Sequence, residues 1–184
     1  MLAAARTAAA IANRTGEVAP QAFNPGKMGD LYTSTMPWDE VGIDQKLPLL
    51  KYVDAEARKG DSAIGKVTVY FSDADERVMI ATLDGRLIMD HRPMTRMSVL
   101  LTATRDGETQ SGYSNIASRQ DFAWYTEERL DTMIAEAVDR TMILFEARRP
   151  PAGEMPVILA AGASGILLHE AIGHGMEADF NRKG

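Results

Sequence analysis

The sequence predicts an α+β fold, a twisted antiparallel β-sheet with packed helices that ends in a helix carrying two histidines. Alternating β-branched runs are separated by Asp84-Gly85 and Asp106-Gly107, dipeptides that favour tight hairpin turns. Apolar residues then recur at helical spacing over residues 126–148. Because an antiparallel sheet can leave one face in water, we expect the helices to cover the other face.

The N-terminal third of the sequence predicts two helices joined by a long linker. Alanine, the best helix former, dominates residues 2–13. Prolines and glycines interrupt residues 17–42, which predicts a loop lying on a surface. Residues 43–59 predict the second helix, with Asp44 as its N-cap. We therefore assign residues 1–60 to the helical and linker part of an N-terminal domain.

Residues 61–184 are assigned to the sheet, its helices and the helix with two histidines. The predicted strands occupy residues 66–72, 77–82, 86–90, 95–104, 108–113 and 155–160. In the fourth of these, Met97, Val99 and Leu101 take alternate positions, which places them together on one side of the strand. The small polar residues 114–120 predict a loop before the long helix.

Composition and charge exclude several classes of protein. The 184 residues carry a net charge of −6 and give a pI near 5.1, which argues against a general nucleic-acid binder. No apolar run approaches the roughly 20 residues of a membrane span. The absence of cysteine excludes a disulfide scaffold. We expect a cytoplasmic protein that binds neither nucleic acid nor membrane.

Two of the three histidines lie in one short run, His-Glu-Ala-Ile-Gly-His-Gly over residues 169–175. This order is typical of metal hydrolases, in which imidazoles hold zinc and a carboxylate takes a proton from the water that the metal polarises. His169 and His174 are five residues apart, whereas the common zinc-protease signature separates its histidines by four. On an unbroken α-helix, five residues place two side chains roughly 140° apart around the axis. Both rings can share an ion only if the helix loosens or ends between them.

Glycines on either side of His174 suggest how the helix solves this problem. We expect the helix to run through about Ile172, with a turn at Gly173 and Gly175 that uses the positive φ glycine tolerates. A π-bulge would also bring the rings together, and such bulges concentrate at functional sites. Ser164 is the predicted N-cap of this metal-binding helix.

Other residues leave alternatives open. Ser164 follows a predicted strand and supports a serine-hydrolase alternative, although Ile166 replaces the glycine that a nucleophile elbow needs. His91 is predicted to be a surface histidine in a turn, and it is the only other imidazole that a metal could use. Glu177 and Asp179 follow the second histidine closely and could add a carboxylate ligand.

The run from Gly165 to Gly184 resembles the signature of the TldD branch of the TldD/PmbA metallopeptidases, a family also known as candidate modulators of DNA gyrase. The resemblance extends upstream through Met155–Leu159, Thr82–Arg86 and Asp90–Pro93, and more weakly to the first helix. It therefore covers most of the chain.

This resemblance implies one zinc ion held by His169 and His174, with Glu170 as the catalytic general base. It also implies that three further residues help to shape the site, namely Asp179, Asn181 and Arg182. The family's third zinc ligand is a cysteine of a C-terminal domain, and this sequence contains no cysteine. We therefore expect a truncated chain, the N-terminal portion of a longer family member.

The expected function is that of a zinc metallopeptidase that hydrolyses unfolded peptides with metal-activated water. The resemblance also implies a heterodimer with a homologous, metal-free PmbA-type subunit, and the His-Glu-x-x-x-His run places this chain on the metal-bearing side. Since the third zinc ligand is missing, a non-catalytic partner-binding fragment is the alternative.

Overall fold

The computed structural model describes residues 5–6, 8–10, 22–26, 31–32, 34–82 and 84–183. The chain divides into two compact units between Ala147 and Arg148. Our boundary at residue 60 stays a prediction. Of the predicted N-terminal helix, residues 5–6 and 8–10 are helical, and its other residues lie outside the described ones, as do residues 17–21, 27–30 and 33 of the predicted linker.

A four-stranded sheet forms the centre of the first unit. Its strands are β1 (Asn24–Pro25), β2 (Ile64–Ala81), β3 (Arg86–Arg105) and β4 (Glu108–Ser118). The central strand is β3, which pairs antiparallel with β2 along one edge and with β4 along the other, where β1 also joins it in parallel. The turn before β4 uses Asp106 and Gly107 at φ 52° and 81°, as a tight two-residue hairpin requires. The predicted α+β class, an antiparallel sheet with packed helices, is confirmed.

The strands of this sheet are longer than the sequence predicted. Each of β2 and β3 unites two runs that we predicted as separate strands. The charged stretch Asp73–Glu76 continues the ladder, with Asp75 opposite Pro93, because cross-strand pairing overrides the low strand propensity of its residues. The predicted loop over residues 114–120 is wrong for Ser114–Ser118, which extend β4 by pairing with Thr95–Val99.

One face of the sheet carries the core. Met97, Val99 and Leu101 of β3 are fully buried on it, so their predicted placement on one side is confirmed. Two helices contribute to the same apolar cluster, α1 (Ile43–Lys59) and α2 (Glu127–Met142). Burial of this apolar surface is the main term that favours folding.

The first turns of the two helices satisfy their N–H groups differently. The N-cap of α1 is Gly42 rather than the predicted Asp44, and the Gln45 side chain accepts a hydrogen bond from the Gly42 N–H at 3.1 Å. Asp44 lies in the first turn, where the helix dipole stabilises a carboxylate. Thr126 caps α2, and its hydroxyl accepts from the Arg129 N–H at 3.4 Å.

None of the described helices has the length and apolar character needed to cross a membrane.

The second unit is a succession of short helical segments. They are α3 (Ser164–Leu168), a π-helical turn (His169–Gly173), a 3₁₀ turn (His174–Met176) and α4 (Ala178–Lys183). The predicted strand over residues 155–160 is wrong, since those residues form no strand and Ile158 is 94% exposed. An apolar run becomes a strand only where a neighbouring strand takes up its N–H and C=O groups. Within the described part of this unit, only Ser164 and Gly173 are partly covered, and no residue is buried.

Candidate metal centre

The helix that carries the two histidines widens between them. The backbone N–H of His174 donates to the carbonyl oxygen of His169, a hydrogen bond that spans five residues. Such a bond defines a π turn, and the wider turn brings residues five apart closer around the helix axis than the roughly 140° of a regular α-helix. Of the two backbone solutions that the sequence allowed, the structure shows the π-bulge.

The alternative of a glycine-flanked turn with positive φ is wrong. Neither Gly173 nor Gly175 has a positive φ, and Gly173 has φ −60° and ψ −46°, which are ordinary helical values. The backbone stays right-handed and helical through Gly173, so the π turn accommodates its additional residue by a wider turn and not by a break in the helix. Glycine therefore serves a different purpose here.

Gly173 provides space for the first histidine. A Cβ atom at this position would lie 3.2 Å from Nδ1 and 3.6 Å from Cγ of His169, so the imidazole packs directly against the bare backbone. The ring centroids of His169 and His174 are 4.6 Å apart, with an angle of 67° between the ring planes. The widened turn and the missing side chain together bring both imidazoles to one side of the segment.

Two carboxylates flank the His174 ring. Its Nε2 lies 3.3 Å from Oε2 of Glu170, and its Nδ1 lies 2.6 Å from Oε1 of Glu177. From the sequence we expected Glu177 only as an extra ligand, and its pairing with the His174 ring was not predicted. The signal was the spacing of three residues, which places two helical side chains on the same face.

The three residues of the His-Glu-x-x-x-His run fit a zinc ion. His169, Glu170 and His174 each offer one nitrogen or oxygen atom, and these atoms all lie within 4.8 Å of one another. Zinc binds imidazole nitrogen and carboxylate oxygen at about 2.0–2.2 Å, so two ligands of one ion lie at most about 4 Å apart. The difference is less than about 1 Å, and all three side chains are exposed. Imidazole and carboxylate are also ligand types that zinc accepts.

The candidate centre is open to solvent. The side chains of His174, Glu170 and Glu177 are 51%, 61% and 50% exposed. Water therefore reaches the ring nitrogens, which a hydrolytic site requires. Water also screens the attraction between the charged groups, so the contribution of these pairs to folding stability is small.

The third histidine is engaged elsewhere, in the first unit. His91 lies within β3 rather than in the turn we predicted, and its Nε2 pairs with Oδ1 of Asp75 on β2. The register places Arg77 opposite His91, so the histidine and Asp75 are diagonal neighbours on the ribbon. Cross-strand pairs at this separation stay within reach of long side chains.

Ser164 gains no support as a nucleophile. It is the first residue of α3 rather than the predicted N-cap, and its hydroxyl donates to the carbonyl oxygen of Ala160. Within the described residues, no hydrogen bond joins Ser164 to a histidine.

The Asn181 amide donates to the Met176 carbonyl at 2.9 Å, which ties α4 to the 3₁₀ turn. The expected roles of the remaining two residues, Asp179 and Arg182, stay predictions.

The family of the chain follows from its similarity to known proteins. Residues 37–145 match the model of the PmbA/TldA metallopeptidase central domain. That match covers more than half of the chain, which belongs to this metallopeptidase family, as its sequence predicted. The candidate metal centre lies beyond the matched residues.

Individual relatives carry related names. The metalloprotease TldD homolog of Haemophilus influenzae is 36% identical over 171 residues, which cover 90% of this chain and 36% of that protein. The TldD homolog of Buchnera aphidicola subsp. Schizaphis graminum is 35% identical over 160 residues, 83% of this chain and 33% of that protein. The zinc metalloprotease TldD homolog of Saccharolobus solfataricus is 31% identical over 115 residues, 62% of this chain and 26% of that protein. The chain thus spans about a third of the length of these curated relatives, or less.

A solved structure shares the fold. The crystal structure of a protein from Thermotoga maritima MSB8, described as a candidate modulator of a DNA gyrase, superposes with a TM-score of 0.58 and 18% sequence identity. The superposition covers 73% of this chain and 30% of that one. At this identity the similarity shows the fold alone.

Proposed function

We propose that the second unit is the zinc-binding part of a peptidase, in which His169 and His174 are metal ligands and Glu170 is the general base. The observation that carries this proposal is the π turn, because it brings two imidazoles five residues apart within 4.6 Å of each other. The membership of a metallopeptidase family and the relative named a zinc metalloprotease support the same chemistry.

The chemistry divides between the metal and the protein. A zinc ion, when bound, polarises a water molecule and the carbonyl group of a peptide bond. Glu170 lies one residue from His169, and its Oε2 is 3.3 Å from Nε2 of His174, so its carboxylate lies beside the ligand atoms. From there it can accept a proton from the attacking water and return it to the leaving amine. General-base catalysis of this kind contributes about 10²–10⁴-fold to the rate.

Solvent exposure of the carboxylate suits that role. With 61% of its side chain exposed, Glu170 can both receive a proton and exchange it with water. If Glu170 were itself a metal ligand, its carboxylate could not act freely as the base. Zinc retention in a Glu170 variant therefore separates the two roles.

The experiment compares zinc content and peptide hydrolysis in Glu170→Gln with those of the unaltered chain, with an unfolded casein fragment as substrate. We expect Glu170→Gln to retain zinc and to lose at least about 100-fold in hydrolysis. The matched control is Glu154→Gln, an exposed glutamate of the same unit, which should change neither quantity. Unchanged hydrolysis in Glu170→Gln would contradict the base role, and lost zinc would make Glu170 a ligand. Absence of hydrolysis by the unaltered, zinc-loaded chain would favour the partner-binding fragment.

We propose an unfolded peptide as substrate, a homologous metal-free subunit as partner, and the cytoplasm as the compartment. An exposed site that no described residue of its own unit buries is compatible with an extended peptide. Co-purification of the chain with a metal-free homologue, and loss of hydrolysis when that homologue is removed, would test the partner.

A further inference from the structure

The His174 ring uses its two nitrogens differently. Nδ1 lies 2.6 Å from Oε1 of Glu177, a short hydrogen bond of the kind that a charged acceptor favours. Nε2 lies 3.3 Å from Oε2 of Glu170, which is one of the three residues that could hold the metal. The two nitrogens of an imidazole diverge from each other, so a carboxylate paired with Nδ1 lies away from whatever binds Nε2.

The backbone fixes Glu177 in this position from both sides. Its N–H donates to the carbonyl oxygen of His174 at 3.3 Å, which closes the 3₁₀ turn. Its own carbonyl oxygen accepts from the Asn181 N–H at 3.1 Å, which begins α4. Because the chain leaves the 3₁₀ turn and enters a helix at this residue, the start of the Glu177 side chain is held close to the ring.

We propose that Glu177 is a positioning residue, whose carboxylate holds the proton of His174 on Nδ1 and so leaves Nε2 as the nitrogen that binds the metal. This inference rests on the proposed function for the identity of the metal ligands. A neutral imidazole has one N–H and one bare nitrogen, and the hydrogen bond at one nitrogen decides which is which. Metal-binding histidines commonly donate their other N–H to a carboxylate, and loss of that partner costs about 10- to 100-fold in metal affinity or activity.

The same geometry separates Glu177 from the role of a ligand. A carboxylate that accepts from Nδ1 has one oxygen occupied and faces the side of the ring opposite to Nε2. The sequence allowed Glu177 as an added carboxylate ligand, and its hydrogen bond to Nδ1 argues for support of His174 instead. The His169 ring is placed differently, because Gly173 leaves room for it against the backbone.

The first readout is the tautomer of His174 in the metal-free chain. Nitrogen-15 NMR of the imidazole at about pH 9, well above the ordinary histidine pKa of about 6.5, reports which nitrogen carries the proton. We expect the Nδ1–H form to predominate in the unaltered chain and in Glu177→Asp, and to lose its predominance in Glu177→Ala. The control Glu154→Ala, which removes another exposed glutamate of the unit, should leave the tautomer unchanged.

The second readout is the dissociation constant for zinc, measured by competition with a chromogenic chelator. We expect Glu177→Ala to weaken binding about 10- to 100-fold, Glu177→Gln to weaken it less because its amide oxygen still accepts a hydrogen bond, and Glu154→Ala to leave it unchanged. Complete loss of zinc in Glu177→Ala with an unchanged tautomer would make Glu177 a ligand and overturn the inference.

The two readouts keep this inference separable from the proposed function. If the unaltered chain binds no zinc or hydrolyses no peptide, the proposed function fails, and the tautomer still decides whether Glu177 orients His174. A predominant Nε2–H form in the unaltered chain, or an identical tautomer in Glu177→Ala, overturns the positioning role. Circular dichroism of each variant shows whether the substitution has unfolded the helical segment.

Discussion

The backbone N–H of His174 donates its hydrogen bond to the carbonyl oxygen of His169, so the two candidate ligands are also the two ends of one π turn. The bond changes the angular relationship of the residues that it joins, and their rings come within 4.6 Å of each other. The local widening of the helix thus brings together two side chains that would point roughly 140° apart on a regular α-helix. The proposed metal chemistry depends on this turn.

Gly173→Ala should disturb the candidate centre without unfolding the segment. The new Cβ would lie 3.2 Å from Nδ1 of His169, which is tighter than an ordinary contact, and the ring must move to relieve it. Alanine also favours a regular α-helix over glycine by about 1 kcal/mol. We expect zinc affinity, measured by chelator competition, to fall about tenfold or more.

Gly175→Ala is the matched control for that change. A Cβ there would meet nothing within 4 Å, so the gain in helix propensity is the same but the ring is untouched. Equal zinc affinities of the two variants would show that Gly173 makes no room for His169. Helicity of both variants, measured by circular dichroism, should equal or exceed that of the unaltered chain.

Gly112→Ala should destabilise the first unit. Gly112 lies on β4 opposite Leu101, and a Cβ at this position would come within 2.6 Å of Oγ1 and 2.9 Å of the backbone nitrogen of Thr141 on α2. Because backbone atoms cannot rotate away, the helix must shift from the sheet, at a cost of about 1–3 kcal/mol. Urea unfolding measures this loss directly.

Gly65→Ala provides the comparison for Gly112→Ala. Gly65 lies at the irregularity in the register of β2, and an added Cβ would meet nothing within 4 Å. We expect a change in unfolding free energy within about 0.5 kcal/mol, as for other open surface positions. A loss as large as that of Gly112→Ala would show that the contact with Thr141 is not the cause.

Asp121→Asn should lower stability at neutral pH and matter less in acid. Burial of the Asp121 carboxyl disfavours its charged form and raises its pKa. The carboxylate accepts hydrogen bonds from the N–H groups of Met36, Thr35 and Ala123 and from the Thr35 hydroxyl. These bonds outweigh the effect of burial, so the pKa of Asp121 lies below its ordinary value. A depressed folded-state pKa contributes stability above the unfolded pKa of about 3.9, and that contribution is lost as pH falls through the folded value.

We therefore expect the difference in unfolding free energy between the unaltered chain and Asp121→Asn to be about 1–3 kcal/mol at pH 7 and to shrink below about pH 4. Urea unfolding at several pH values measures it. Asp139→Asn, which alters an exposed carboxylate, should show no comparable dependence on pH. A constant difference down to pH 2 would mean that the charge of Asp121 is not what the amides stabilise.

The fold was predictable where local signals and long-range pairing agree. The Asp106-Gly107 turn and the alternation of Met97, Val99 and Leu101 predicted a hairpin with one buried face, and the structure has both. Strand lengths were not predictable, because the pairing of Asp73–Glu76 depends on the partner strand rather than on propensity. The apolar run at residues 155–160 was wrongly predicted as a strand, because in the described part of the chain no partner strand pairs with it.

The candidate site was predictable in composition but not in detail. The spacing of His169 and His174 required a widened or broken helix, and the choice between the two depends on backbone hydrogen bonds that no residue pattern specifies. The role of Gly173 depends on the rotamer of His169, and the pairing of Glu177 with His174 on the orientation of a ring. Both contacts are local, and each depends on a side-chain rotamer that the spacing of the residues does not specify.

We propose that the two imidazoles at the ends of the π turn hold one metal ion together. The most direct measurement is the zinc content per chain after dialysis, by mass spectrometry of the metal, for the unaltered chain and for His169→Ala and His174→Ala. We expect one zinc ion per unaltered chain and near-complete loss of zinc in each variant. Full retention of zinc after removal of either imidazole would contradict it.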